Sequence, residues 1–189
     1  MLECERALFE KGYKREDKKV RRDGRFKMRL IFKQKVFSWL DSYKIFDEEE
    51  NVVFTVERKF AIGRELTIYD AEHVPVGRIS QRLWSFLPRF DLYVGDEMVG
   101  TITKEMTLFK QAYNIDFNGW EIRADWPAVN YDIHDADGNE IATVGTKLFQ
   151  LVDTYVLDIN DPKNALYVLM VVVAIDAVQS DNANSAANN

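Results

Sequence analysis

The chain holds a single cysteine, Cys4, and two histidines, His73 and His134. One thiol excludes an internal disulfide and a cysteine-based zinc cluster, and two imidazoles are too few for a histidine-rich metal site. No metal and no cofactor are expected, and the cytoplasm is the expected compartment. No run of about 18 apolar residues occurs, so no membrane-spanning helix is expected. No charged-then-apolar leader opens the sequence, so no signal peptide is expected either. There is no glycine-rich phosphate loop, no HExxH, no nucleophile elbow and no CxxC. A non-enzymatic protein is the expectation.

At 189 residues, 47% hydrophobic and 13% aromatic, the chain suits one globular domain with tails. A net charge of −6 gives no support for nucleic acid as a partner. That total hides an asymmetry. Residues 1–27 carry ten Lys/Arg against six Asp/Glu, or +4, and the remainder carries 15 against 25, or −10. Residues 1–27 have no clear period and read as a charged arm, flexible or a short amphipathic helix, with Lys18-Lys19 and Arg21-Arg22 as its basic cluster. The globular pattern begins at Met28, which is itself a candidate start.

From Met28 the texture changes to short alternating segments. Arg29–Lys35 is the first strand candidate, followed by the apolar Val36–Leu40 as a turn or short helix. A motif then recurs: a period-2 strand, a turn rich in Asp, Asn or Gly, and a second strand ending near a basic residue. Tyr43–Asp47 pairs in this way with Val52–Val56, Leu66–Asp70 with Pro75–Ile79, and Phe90–Val94 with Met98–Ile102. Tyr113–Phe117 and Trp120–Ala124 flank Asn118-Gly119, and Tyr131–Asp135 precedes Asn139–Val144. These are five β-hairpins. Asn118-Gly119 is the clearest two-residue turn, since both positions tolerate positive φ. Thr154–Asp158 is a last strand, giving about twelve in all.

The stretch after it organises the rest. Asp161-Pro162 is a good helix start, and Ala165–Ile175 is apolar without interruption before Asp176. A helix with no polar face must be buried in protein or in lipid. Eleven residues make only ~16 Å of helix, about half a bilayer core, so burial in protein is expected. A closed barrel shields such a helix on every side and also removes sheet edges. The expected fold is therefore all-β: a twelve-stranded closed antiparallel β-barrel over residues 28–178 around a helix at 162–178. The Asn/Ser/Ala/Asp-rich residues 179–189 read as a disordered tail.

Apolar connectors separate the hairpins: Leu83–Pro88, Thr107–Phe109 and Leu148–Val152. They are expected to plug the barrel ends; exposed, they would be membrane-dipping or partner-binding tips. His134 lies beside Asp132 and Asp135, but strand alternation gives them no common catalytic face. His73 falls in a turn. Asp135-Ala-Asp-Gly-Asn-Glu140 has Gly fourth rather than sixth, so turn chemistry explains it better than a calcium loop. Arg58, Lys59, Arg78, Arg82, Lys104 and Lys147 occupy comparable positions in successive hairpins. They are the candidate ligand-binding residues, set against the plainer reading of strand-end charges on an acidic surface.

Together, Lys33-Gln-Lys-Val-Phe-Ser38, the repeated strand–Asp–turn–strand–Lys/Arg unit, Asp153–Asp158 and Val173-Ala-Ile-Asp176 resemble the LURP-one-related family, in its bacterial YxjI-type branch. The resemblance covers roughly residues 28–178. It implies the tubby C-terminal-like superfamily, which includes phospholipid scramblases, and hence a twelve-stranded barrel closed on a C-terminal helix. It also implies possible partners: an anionic phospholipid or membrane surface, with peripheral membrane association. A calcium site near Asp158, Asn160, Asp161 and Asp176 stays open on the scramblase side, although Asp161 is needed as a cap. Fold alone is a weak warrant for function. The expected function is a non-enzymatic binding or scaffold module for an anionic headgroup or another phosphate-bearing ligand. Its alternatives are a protein-interaction module working through tips such as Trp84–Leu87, and a scramblase-like membrane protein.

Overall fold

The computed structural model of the protein describes residues 19–20, 26–33, 42–61, 63–105, 112–124, 130–149 and 152–187. Its strands are β1 (Lys19–Val20), β2 (Phe26–Lys33), β3 (Ser42–Phe46), β4 (Val52–Ala61), β5 (Gly63–Tyr69), β6 (Pro75–Gln81) and β7 (Arg89–Val94). They continue with β8 (Glu97–Glu105), β9 (Ala112–Asp116), β10 (Glu121–Ala124), β11 (Tyr131–His134), β12 (Glu140–Phe149) and β13 (Val152–Ile159). A 3-10 turn, Pro162–Asn164, leads into the helix α1, Ala165–Ala187.

Twelve strands follow one another in the order β10-β11-β12-β13-β2-β3-β4-β5-β6-β7-β8-β9, and β1 pairs with β2 off this path. All described ladders are antiparallel. Neighbours in the sheet are neighbours in sequence, except that β13 pairs with β2 and so joins the end of the chain to its beginning. Arg29 and Asp158 face each other across that seam and form a two-pronged ion pair at 2.6 and 3.0 Å, with Glu48 accepting a further bond from Arg29 at 3.0 Å. The strand number matches the expectation. The first strand starts earlier than expected, at Phe26, and β1 falls within the arm; the rest of residues 1–25, including Cys4, lies outside the described residues.

One hairpin differs from expectation. Asn118 and Gly119 both take positive φ (48° and 66°), and the Trp120 amide donates to the Phe117 carbonyl at 2.9 Å, as a tight turn requires. Yet β9 and β10 are the two ends of the strand order, with no ladder described between them. Phe117 and Trp120 are buried and meet edge to face, 5.0 Å apart, and Phe117 also lies 4.9 Å from the Tyr167 ring of the helix. Large rings on both sides of the turn point inward and occupy the seam, so the barrel is closed there by a turn and side chains.

Alternation along each strand sends one face inward: Leu30 and Phe32, Ile45, Val56, Ile68, Ile79, Phe90 and Leu92, Ile102, Ile133, and Leu157 and Ile159 are fully or almost fully buried. They surround α1, in which every residue from Val168 to Ala177 is buried. The expected start holds, since the Asp161 carboxylate accepts from the Lys163 amide at 3.0 Å with Pro162 following. At Gly77 the helix comes so close that an added Cβ would lie 3.2 Å from Leu166 Cδ1 and 3.4 Å from Met170 Sδ. The helix also continues past Val178, where composition predicts a disordered tail. Once a helix is nucleated, each further residue adds a bond at small cost, so a firmly held stem extends into a polar segment that would not nucleate alone.

The repeated motif is a repeated geometry. In three turns an Asp carboxylate accepts the backbone amides of the residues two and four further on: Asp47 from Glu49 and Asn51, Asp70 from Glu72 and Val74, and Asp135 from Asp137 and Asn139. The residue three after each Asp has positive φ: Glu50 (65°), His73 (61°) and Gly138 (81°). Only the third copy has the glycine that this backbone favours; the strain for other residues is about 1–2 kcal/mol. Glu50→Gly and His73→Gly are each expected to raise stability by up to about 1 kcal/mol, after the entropy that glycine adds to the unfolded chain. Asp135→Ala is expected to lower it, because three acceptor bonds of the turn are lost. Urea denaturation midpoints check all three.

Candidate functional site

A meander of hairpins puts every within-hairpin turn at one barrel end and every between-hairpin connection at the other. The turn end is acidic: Asp47-Glu-Glu-Glu50, Asp70 with Glu72, Asp96-Glu97, Asp135 with Asp137 and Glu140, and Asp161. The connector end is not. There the strands and the β6–β7 loop carry Arg58, Lys59, Arg64, Arg82, Arg89 and Lys104 against Glu57, Glu65, Asp91 and Glu105. Strands of about eight residues, tilted by about 40°, separate the ends by roughly 20 Å. That is more than twice the Debye length of about 8 Å at physiological salt, so the acidic turns do not cancel the basic connector end.

Alternation divides the six candidate residues. Arg58 follows Val56 by two and pairs with the buried Leu66; Lys104 follows Ile102 by two. Both therefore sit on the inward face at the connector mouth, Arg58 exposed and Lys104 half-buried. Neither has an ion-pair partner among the described residues. Lys59 lies 4.0 Å from Glu65 on the outer wall, and Arg78 lies 3.8 Å from the same Glu65 with its guanidinium 3.9 Å above the Tyr93 ring. Arg82 holds Asp91 at 2.9 and 3.1 Å, with Arg89 also 3.5 Å from that carboxylate. Among the described residues, Arg58 and Lys104 are thus without an ion-pair partner, and Lys59, Arg78 and Arg82 are engaged locally. Lys147 is placed on β12 near the same end, and its side chain lies outside the described residues.

The loop Arg82–Arg89 overturns one expectation. Leu83, Trp84 and Phe86 do not plug the barrel: they are 40%, 103% and 93% exposed. The loop folds on itself instead. The Arg82 amide donates to the Arg89 carbonyl at 2.8 Å, the Lys104 amide to Pro88 at 3.1 Å, and the Ser85 hydroxyl lies 2.6 Å from the Leu87 carbonyl and 3.2 Å from that of Arg82. These bonds close the base of the loop, and the exposures place its tip outward. Trp84 has φ 66°, so it carries backbone strain without any burial to offset it. The connectors Val36–Leu40 and Thr107–Phe109 and the side chains of Leu148–Val152 lie outside the described residues.

Beneath the mouth is a polar layer that sequence reasoning missed. Asp176 is buried on the helix, and its Oδ2 has no hydrogen-bond partner among the described residues. Burial pushes its carboxyl up from the ordinary 3.8 to about 7, and the nearby Arg64 guanidinium, which also donates to the Ala177 carbonyl, opposes part of that rise. Burial, then the Asp176 charge, raises Tyr43 well above the usual phenol range; Tyr131 is raised by burial and then by Tyr155, Asp176 and Tyr113. Arg64 was legible only through alternation, since it shares a strand face with Leu66 and Ile68. The other titratable candidates have structural roles. Asp135 is held below its ordinary value by the Asn139 side chain and amide, His73 stacks on Tyr69 at 4.4 Å, and His134 faces the outer side of β11. No group of three or more His, Cys, Asp or Glu side chains suited to a metal occurs among the described residues.

The architecture is that of an all-β barrel built around a buried C-terminal helix. Residues 28–176 match the LURP-one-related family model, and the chain belongs to that family. It is 31% identical over 150 residues, 79% of this chain and 92% of the other, to a Bacillus subtilis (strain 168) protein named "Uncharacterized protein YxjI". Its fold is similar to the X-ray structure of a protein from Arabidopsis thaliana, with a TM-score of 0.56 and 14% identity over 80% of this chain and 91% of that one. Among the described residues, no helix is long and apolar enough to cross a membrane.

Two predictions follow from the burial of Asp176 and the exposure of Trp84. Between the two carboxyl values the folded protein holds a proton that the unfolded chain releases, so the contribution of Asp176 to stability falls as pH climbs from about 4 through about 7. At about 1.4 kcal/mol per pH unit the full effect is about 4 kcal/mol. Asp176→Asn is expected to be more stable than wild type near pH 8, with the gap narrowing by about 3 kcal/mol near pH 5; chemical denaturation at both pH values checks this. Trp84→Gly is expected not to destabilise the protein and to gain up to about 1 kcal/mol by relieving positive φ. A lowered melting temperature would contradict the exposed placement.

Proposed function

We propose that the protein is a non-enzymatic binding module of the cytoplasm that engages a phosphate-bearing anionic group at its connector end. The observation that supports this most is the segregation of charge: an acidic turn end and a basic connector end lie further apart than salt lets them interact. Arg58 and Lys104 are the contacts the geometry favours. They are unpaired among the described residues, so binding an anion there breaks no ion pair within that set. The arginine offers a planar fork for phosphate oxygens and the lysine a point charge.

The anion can come from a lipid headgroup or from a free phosphorylated molecule. We read the family as part of the tubby C-terminal-like superfamily, in which tubby domains bind phosphoinositides at membrane surfaces, and this agrees with the lipid source. A scramblase-like passage of lipid through the barrel is disfavoured by its helix-filled interior. A protein-interaction role is the second reading, favoured by the exposed Trp84 and Phe86.

The test titrates the full chain with inositol hexakisphosphate at low and moderate salt, and pellets it with anionic vesicles in parallel. Salt-sensitive binding that weakens by about tenfold in Arg58→Ala/Lys104→Ala, with the melting temperature kept, is expected. Competition between vesicles and the soluble probe assigns the lipid source, and binding of the soluble probe alone assigns a free ligand. Binding that ignores both substitutions, or no binding of either probe, contradicts the reading.

A further inference from the structure

Leu83 to Leu87 form the one connector of this end whose side chains are described, and they present a fully exposed Trp84 and a nearly fully exposed Phe86. Two observations indicate that this tip is kept for an encounter outside the barrel. Trp84 pays the cost of a left-handed backbone and gains no packing contact for it. The base of the loop is tied down, the Pro88 and Arg89 carbonyls accepting from the Lys104 and Arg82 amides and the Ser85 hydroxyl donating to the Leu87 carbonyl, so the tip is held outward on a fixed base.

The second observation bears on the nature of the partner. A protein recognises a loop through directional hydrogen bonds as well as apolar contact. This loop closes its own base and offers two aromatic rings. At a lipid interface the backbone of such a tip stays within reach of water and headgroups, and the rings are what it buries. Trp favours that interface because its ring is apolar while its N–H can still reach water or headgroups. The surrounding charge fits as well. Arg82, Arg89 and Lys104 lie at the base of the tip with one carboxylate, Asp91, shared by the two arginines, which leaves the base positive, and the acidic turns are at the opposite end of the barrel.

We infer that the Trp84–Phe86 tip is a membrane anchor that inserts into the interfacial region of an anionic bilayer. This rests on the reading that the connector end takes a phosphate-bearing ligand, and it identifies that ligand's source as lipid. Two rings alone give weak, reversible attachment, as single apolar anchors do, so the tip and the basic residues act as two joint signals. Binding therefore needs both anionic lipid and the aromatic tip.

The experiment mixes the full-length protein with phosphatidylserine/phosphatidylcholine vesicles, or with phosphatidylcholine alone, some containing brominated acyl chains. Tryptophan fluorescence and co-pelleting are read for wild type, Trp84→Phe and Trp84→Ala/Phe86→Ala. The expected result is quenching by brominated lipid in the anionic vesicles that falls in Trp84→Phe, although that variant still pellets; the difference between the two proteins is the Trp84 share of the signal from four tryptophans. The double variant is expected to pellet at least about tenfold more weakly while its affinity for inositol hexakisphosphate is unchanged. The tip is exposed, so its variants are expected to keep the wild-type melting temperature.

Pelleting without quenching, unchanged in the double variant, would overturn the anchor and leave the charge-based reading standing. Binding of inositol hexakisphosphate without any vesicle binding would also overturn the anchor, in favour of a free ligand. Failure of both probes would overturn both readings. Equal binding to neutral vesicles would overturn the joint-signal form.

Discussion

A helix that is apolar on every side has to be surrounded, and the rest of this structure follows from that. From Val168 to Ala177 no face of α1 meets water. One sheet would cover half of it and a sandwich would leave two sides open. Twelve strands spaced about 4.8 Å apart and tilted by about 40° close at a radius of roughly 12 Å. That is near the distance of about 10 Å at which a helix packs on a sheet, so one helix and one layer of strand side chains fill the space. The close approach at Gly77 shows how little room is left. Among the described ladders, β13–β2 is the one not between sequence neighbours, and the Arg29–Asp158 pair bridges it where chain connectivity does not.

A filled interior moves function to the ends and the outer wall. The hairpin meander then gives the two ends different chemistry, because turns and connections are built from different residues. Turns need Asp, Asn and Gly for their hydrogen bonds and backbone angles, which makes their end acidic. The connector end has no such requirement, and it carries arginines, lysines and aromatic side chains. The net charge of the body therefore describes neither surface that a ligand would meet.

The sequence showed most clearly what local chemistry decides. Asp161-Pro162 marked the helix start, and the Asp-led turns marked the hairpins, because the same carboxylate-to-amide bonds form wherever the spacing recurs. Features that depend on neighbours across the sheet were hidden. Glu65 lies between Lys59 and Arg78 only because β5 lies between β4 and β6, so a repeat of basic residues in the sequence did not reveal which of them stay unpaired. Arg64 and Asp176 meet across more than a hundred positions. The tip was misread because Leu-Trp-Ser-Phe-Leu has the composition of a plug, whereas its side chains stand exposed on a base closed by local hydrogen bonds. The missing β9–β10 ladder has a similar cause: the Asn118-Gly119 turn is local, whereas the rings that occupy the seam are tertiary.

The dependence of the barrel on its helix is tested most directly by native-state hydrogen exchange of the α1 amides as denaturant is raised. If the helix and the strands are one cooperative unit, amides from Val168 to Asp176 exchange only through global unfolding, with the same free energy and denaturant dependence as the amides of β13 and β2. Exchange of the helix at clearly lower free energy, while those strands stay protected, would mean that the barrel stands without its core and would contradict the account.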